Sequence, residues 1–274
     1  MRRRKLFKFK LTKKQRQRIV VFTVFCLIAV GVYSFYKHHA RFWIHAVAPQ
    51  IGKPKVTFVV DDIGYQNRFT PELEALGPKV TYAILPLLRY SRYYGHLSQQ
   101  THAEVILHLP LDSIQDKNPG PGLIVSSMPD DDIKEMLARD LDSVPNYVGA
   151  NNHMGSLGTT DRHVMRMVLG DLKRRHLFFL DSYTSRGSVV KEIAHEVGLP
   201  VLTRGVFLDN VDSKPDILLQ LKRVRTVARK KGTAIAIGHY RKNTLEALAE
   251  EIPRLEAEGF EIISLKNMLK IRSD

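Results

Sequence analysis

Beyond residue 54 the chain alternates short apolar runs with amphipathic stretches. KVTFVV, VTYAIL, AEVILHL, YVGANN, LFFLDS, PVLTRG, GTAIAIG and FEIISL are brief and bounded by turn residues, the pattern of buried strands. Between them, apolar residues recur at helical spacing over 70–76, 90–100, 130–143, 160–175, 188–197, 215–230 and 244–258. The third of these follows Ser127, Met128 and Pro129 and opens on three aspartates, whose charges suit the positive end of a helix. Strands separated by helices and apolar on both faces predict a parallel α/β sheet. Seven or eight units over about 215 residues favour a distorted (β/α) barrel, closed or nearly so; an open doubly wound sheet has the same periodicity.

The amino-terminal part reads differently. Ile19 to Tyr36 are eighteen residues without a charge, close to what crosses a bilayer core as a helix, with Tyr33 and Tyr36 suited to its interface. A cleaved secretory signal also begins basic and then apolar. This apolar run is long for a signal, and its one small-x-small site, Ala46 to Ala48, lies well downstream. An uncleaved anchor is therefore expected. The organisation predicted is a basic cytoplasmic tail over 1–18, a span over 19–36, a linker over 37–54 and one domain over 55–272.

Charge supports this layout. The net charge of +14 suggests a nucleic-acid partner until its distribution is read: ten positive residues fall between Arg2 and Arg18 with no acid among them, leaving +4 for the rest. No basic stripe with interleaved aromatics follows, so nucleic acid is not expected as a partner. The basic end is expected to stay in the cytoplasm and the domain to lie outside it. Cys26, the single cysteine, falls within the span, so an intramolecular disulfide and a cysteine metal site are both excluded.

Chemistry gathers at the carboxyl ends of strands in parallel α/β folds. Here Asp61 and Asp62 close the first strand, His108 the third, Asn151 to His153 the fourth, Asp181 and Ser182 the fifth; Asp209 and Asn210 follow the sixth, and His239 ends the seventh. Any one of these is ordinarily a cap or a satisfied polar residue. Their recurrence at one end of the sheet points instead to a shared site. A divalent cation, zinc foremost, would offset the repulsion of the adjacent carboxylates. Successive strand residues face opposite ways, so both aspartates reach one site only if the pleat breaks, and Gly64 is the expected place.

FVVDDIG, VILHLPLD, GANNHMGS, LFFLDS, VFLDN and AIAIGH, in this order and spacing, resemble the divergent polysaccharide deacetylase family, a remote branch of the metal-dependent carbohydrate deacetylases. The resemblance covers nearly all of Lys55 to Lys270 and implies a distorted (β/α) barrel in a bacterial envelope protein. It implies Asp61 as general base, with Asp62 and His108 as metal ligands. Asp112 stands where the wider family has a second histidine, and His153 is the implied replacement ligand. His239 corresponds to the histidine that protonates the leaving group.

The expected activity is removal of acyl groups, acetyl above all, from an envelope polysaccharide or peptidoglycan-like glycan. Asp181 is expected to orient His239, and Asn151 and Asn152 to support the ligands through hydrogen bonds. Ser182, Asp209, Asn210 and Asp112 are expected on the same face, contacting substrate or supporting the ligands. A membrane-tethered glycan-binding or scaffold protein without turnover is the competing reading. A metal-dependent phosphoesterase fits less well, because no glycine-rich phosphate cradle is present.

Overall fold

Each strand is short and apolar because both of its faces are covered. The computed structural model describes residues 12–46, 52–115 and 118–272. The chain divides into two compact units, Met1–Ile51 and Gly52–Asp274. In the first, α1 (Lys13–Ala46) is one helix whose Lys13–Phe35 portion is long and apolar enough to cross a membrane. It begins before the expected span and continues into the expected linker. The tail over 1–11 and the linker residues 47–51 lie outside the described residues.

The second unit alternates strand and helix: β1 (Lys55–Ile63), α2 (Thr70–Leu76), β2 (Val80–Ile84), α3 (Ser91–Thr101), β3 (Glu104–Leu111), α4 (Asp130–Ser143), β4 (Tyr147–Met154), α5 (Arg162–Arg174), β5 (Phe178–Asp181) and α6 (Val190–Val197). It continues through β6 (Val201–Thr203), β7 (Val206–Phe207), α7 (Lys214–Lys231), β8 (Thr233–His239), α8 (Lys242–Ala257), β9 (Glu261–Ile262) and α9 (Leu265–Arg272). The strand order is β6-β5-β4-β3-β2-β1-β8-β7, with β9 also on β1. Every strand pairing among the described residues is parallel.

Topology forces the sheet to curl. Strands β6 and β7 lie at opposite ends of the order, yet only Arg204 and Gly205 join them. The two edges must therefore come together, and the result is a barrel with an unzipped seam, as the sequence predicted. Two cores follow from the period-2 alternation. Val59, Ile106, Phe178, Leu180, Leu202, Ile235 and Ile237 fill the inside, where Leu265 and Met268 of α9 join them. Val56, Phe58, Val60, Leu107 and Phe179 face outward against the helices. Both β7 and α9 were absent from the sequence expectation, and FEIISL forms only a two-residue strand before turning into α9.

Candidate metal centre and active site

The phase of each strand decides which polar residues enter the barrel mouth. Val59 faces inward, so Asp61 does too; Ile106 sets His108 inward, and Ile237 sets His239 inward. On the same rule Asp62 belongs outside with Val60. The backbone reverses it: Asp62 has φ +62, and the β1–β2 register shifts between Val60 and Ile63. The break therefore lies at Asp62 itself and not at Gly64, whose own positive φ of 134° serves the turn that follows.

Three ligand atoms converge as a result. Asp62 Oδ1 lies 3.2 Å from His108 Nε2 and 3.1 Å from His153 Nδ1. The two ring nitrogens are 3.1 Å apart. Asp62 Oδ1 is buried without a hydrogen bond of acceptable alignment. Tetrahedral zinc, at about 2.0–2.1 Å from N and O ligands, holds them roughly 3.3 Å from one another, so this near-equilateral triangle fits such a cation. Burial works to raise the Asp62 carboxyl, but the flanking imidazoles outweigh it and hold it well below the usual carboxylate range.

Asn151 fixes the tautomer of His108. Its Nδ2 donates to Asp61 Oδ1 at 2.9 Å, and its Oδ1 meets His108 Nδ1 at 2.8 Å. A carboxylate can only accept, so the amide must face it with nitrogen. Its oxygen then requires a proton on Nδ1, which leaves Nε2 bare toward Asp62. Asn151 Nδ2 also donates to Ser182 Oγ at 3.2 Å.

Asp61 stands beside the triangle without entering it, its Oδ2 3.7 Å from His108 Nε2. Burial raises its pKa, with His108 and His239 pulling the other way, so it is a stronger base than an exposed aspartate. His239, paired in register with Asp61, brings Nε2 to 3.9 Å from Asp62 Oδ2. Its Nδ1 is 2.9 Å from Asp209 Oδ1, while Asp209 Oδ2 accepts from the His239 amide and from Thr244 Oγ1. Burial lowers the His239 pKa, but Asp209 more than reverses this and the net shift is upward.

The orienting carboxylate is thus Asp209, not Asp181. Phe178 and Leu180 occupy the inward phase of β5, so Ser182 follows them inside while Asp181 points to the helix layer. There it accepts from Ser188 Oγ and the Tyr183 amide. Asn152 is likewise turned from the centre and ties loops together through the Ser182 amide, the Met154 carbonyl and Thr184. Asp112 accepts from the Ser126 amide and takes no place among the clustered ligands. Asn210 is exposed.

Comparison with known proteins agrees with the geometry. Residues 58–269 match the model of the family described as divergent polysaccharide deacetylase. The chain belongs to the divergent polysaccharide deacetylase family. A relative within reach of this family chain is an uncharacterized protein of Haemophilus influenzae, 31% identical over 214 residues, covering 78% of this chain and 76% of that protein. Escherichia coli YibQ is 31% identical over 201 residues, 73% of this chain and 63% of its own length. A crystal structure of protein ATU2773 from Agrobacterium tumefaciens shares the deacetylase-like fold, with TM-score 0.75 and 24% identity over 79% of this chain and 89% of that one.

One further residue escaped the sequence reading. Arg204, at the seam, donates Nε to the Ser182 carbonyl and Nη2 to the Tyr183 carbonyl, and it lies over the Phe207 ring, whose edge meets His239. An arginine after a three-residue strand carries no signal of this role.

Proposed function

We propose that the globular unit hydrolyses an acyl group carried on a glycan of the bacterial envelope, as its family name suggests for polysaccharides. The observation that supports this most is the division of labour at one point: three converging ligand atoms, an adjacent carboxylate outside the set, and a histidine held by its own aspartate. Bound at Asp62, His108 and His153, a divalent cation such as zinc would polarise the acyl oxygen and lower the pKa of a water. Asp61 takes the proton of the attacking water. His239, kept protonated by Asp209, gives a proton to the departing nitrogen or oxygen. Water adds its hydroxyl to the acyl carbon, the bond from that carbon to nitrogen or oxygen breaks, and a carboxylic acid and a free amine or alcohol result.

The basic residues before the apolar helix support a single-pass anchor in the cytoplasmic membrane, with the globular unit on the extracytoplasmic side. Release of acid from acylated glycans by the zinc-loaded full chain tests the reading, with Asp61→Asn expected to lower the rate about 10²–10⁴-fold while zinc content is kept. Zinc bound by the wild type without release from any acylated glycan would leave a metal-bearing glycan-binding protein in its place.

A further inference from the structure

The face that carries the candidate centre is apolar at its rim. Among the described residues of the globular unit, exposed large apolar side chains collect there. Tyr65 follows β1, Leu87 follows β2, Ile114 follows β3, Leu157 follows β4, Tyr183 follows β5 and Val211 follows β7. Tyr93, Leu219 and Ile271 are the exceptions, and all three lie within helices. Isolated exposed apolar residues need no explanation, but one at each of six strand ends around a polar centre does.

These loops are fastened. Leu87 (φ +56) and Tyr183 (φ +50) adopt left-handed backbone that bulky side chains avoid, and such strain gathers at ligand clamps. The Leu87 amide donates to Ser143 Oγ, and the Ile114 amide donates to Ser156 Oγ. Arg204 grips the carbonyls on either side of the Ser182–Tyr183 peptide. Apolar groups are thereby fixed in water at set positions, the preorganisation expected of a binding surface.

Between the β3 and β5 loops lies a cleft of about 430 Å3 lined by Ser113, Ile114, Gln115, Met154, Ser156 and Thr184. It reaches Met154, the residue after His153, and none of these lining side chains is charged. Its hydroxyl donors are largely spent: Ser113 Oγ donates to the Gln115 carbonyl and Thr184 Oγ1 to the Met154 carbonyl. A two-carbon acyl group would leave such a cleft nearly empty, and a sugar ring would find few free partners for its own hydroxyls. What the wall offers is aliphatic surface, complementary to an uncharged hydrocarbon chain.

We propose that this cleft and its apolar rim hold the aliphatic chain of the substrate, an acyl group well beyond acetyl in length. The inference rests on the hydrolase reading of the same centre. The bond broken is the one between the acyl carbon and nitrogen or oxygen, and the acid released is then a fatty acid.

The full chain carrying Asp61→Asn, reconstituted in nanodiscs and loaded with zinc, is titrated calorimetrically with N-octanoylglucosamine and N-acetylglucosamine against empty nanodiscs. The octanoyl compound is expected to bind at least tenfold more tightly. Ile114 is 74% exposed, so Ile114→Asp should fold normally and abolish the preference. Tyr183→Asp should do the same, with zinc content and circular dichroism unchanged in both. Equal affinity for the two compounds, or a preference untouched by both substitutions, overturns the proposal. The wild type is then assayed for octanoate release. Chain-length preference without release defeats the hydrolase reading alone, and release without that preference defeats this inference alone.

Discussion

Asp62 holds its position against its own backbone preference. A left-handed conformation costs a residue of this kind on the order of 1–3 kcal/mol, and the return is a carboxylate turned into the barrel where the pleat would have sent it out. Asp62→Ala should therefore lose zinc affinity without loss of fold, measured by competition with a chromophoric chelator. Asp209 acts one residue removed from the chemistry. It raises the His239 pKa, so Asp209→Asn should move the alkaline limb of the kcat/KM profile to lower pH while leaving the acid limb, set by Asp61, in place. The ligand and acid–base residues were nameable from FVVDDIG, LHLP, NNHM and IGH because each is a polar break in an apolar strand. The choice between Asp181 and Asp209 was not, since in LFFLDS both strand faces are apolar and the inward phase leaves no mark.

At the scale of elements, strand phase carries more of the site than strand length does. The three residues of β6 and two of β7 are too short for any periodicity, yet they close the barrel and deliver Asp209 beside β8. Helix α9 is eight residues and follows FEIISL directly, so its pattern merges with the strand before it. The major helices, by contrast, lie within two residues of their predicted limits, because their apolar stripes extend over two or more turns. Gly149 shows how tightly β4 and β5 are joined: a Cβ there would stand 2.8 Å from the Phe178 ring. Gly149→Ala is expected to destabilise the unit by about 1–3 kcal/mol through overpacking, read from the denaturant midpoint.

Over the whole molecule, one buried group lies outside the candidate centre and has its own pH signature. Asp140 of α4 is fully buried, both carboxylate oxygens lack hydrogen-bond partners, and burial pushes its pKa up to about 8. The unfolded chain gives up this proton near pH 4 while the folded chain keeps it to about pH 8. Stability from this group is thus complete below pH 4 and is lost progressively as pH rises to about 8. Asp140→Asn should flatten that dependence, so its melting temperature relative to the wild type should rise between pH 6 and pH 9. Zinc at a hundredfold excess over its Kd should stabilise the wild type by about 2.7 kcal/mol, and His153→Ala should abolish the shift in Tm.

The place of β1 in the sheet governs how this protein comes into being. Its neighbours are β2, made at once, and β8, made near the end of the chain. At about 5–20 residues per second, Asp61 leaves the ribosome roughly ten to thirty seconds before the His239 that pairs with it. Throughout that interval β1 presents an unpaired parallel edge, the kind of template on which nascent chains aggregate. Ribosomes stalled short of residue 233 would release fragments with that edge still bare, prone to aggregation and lacking His239.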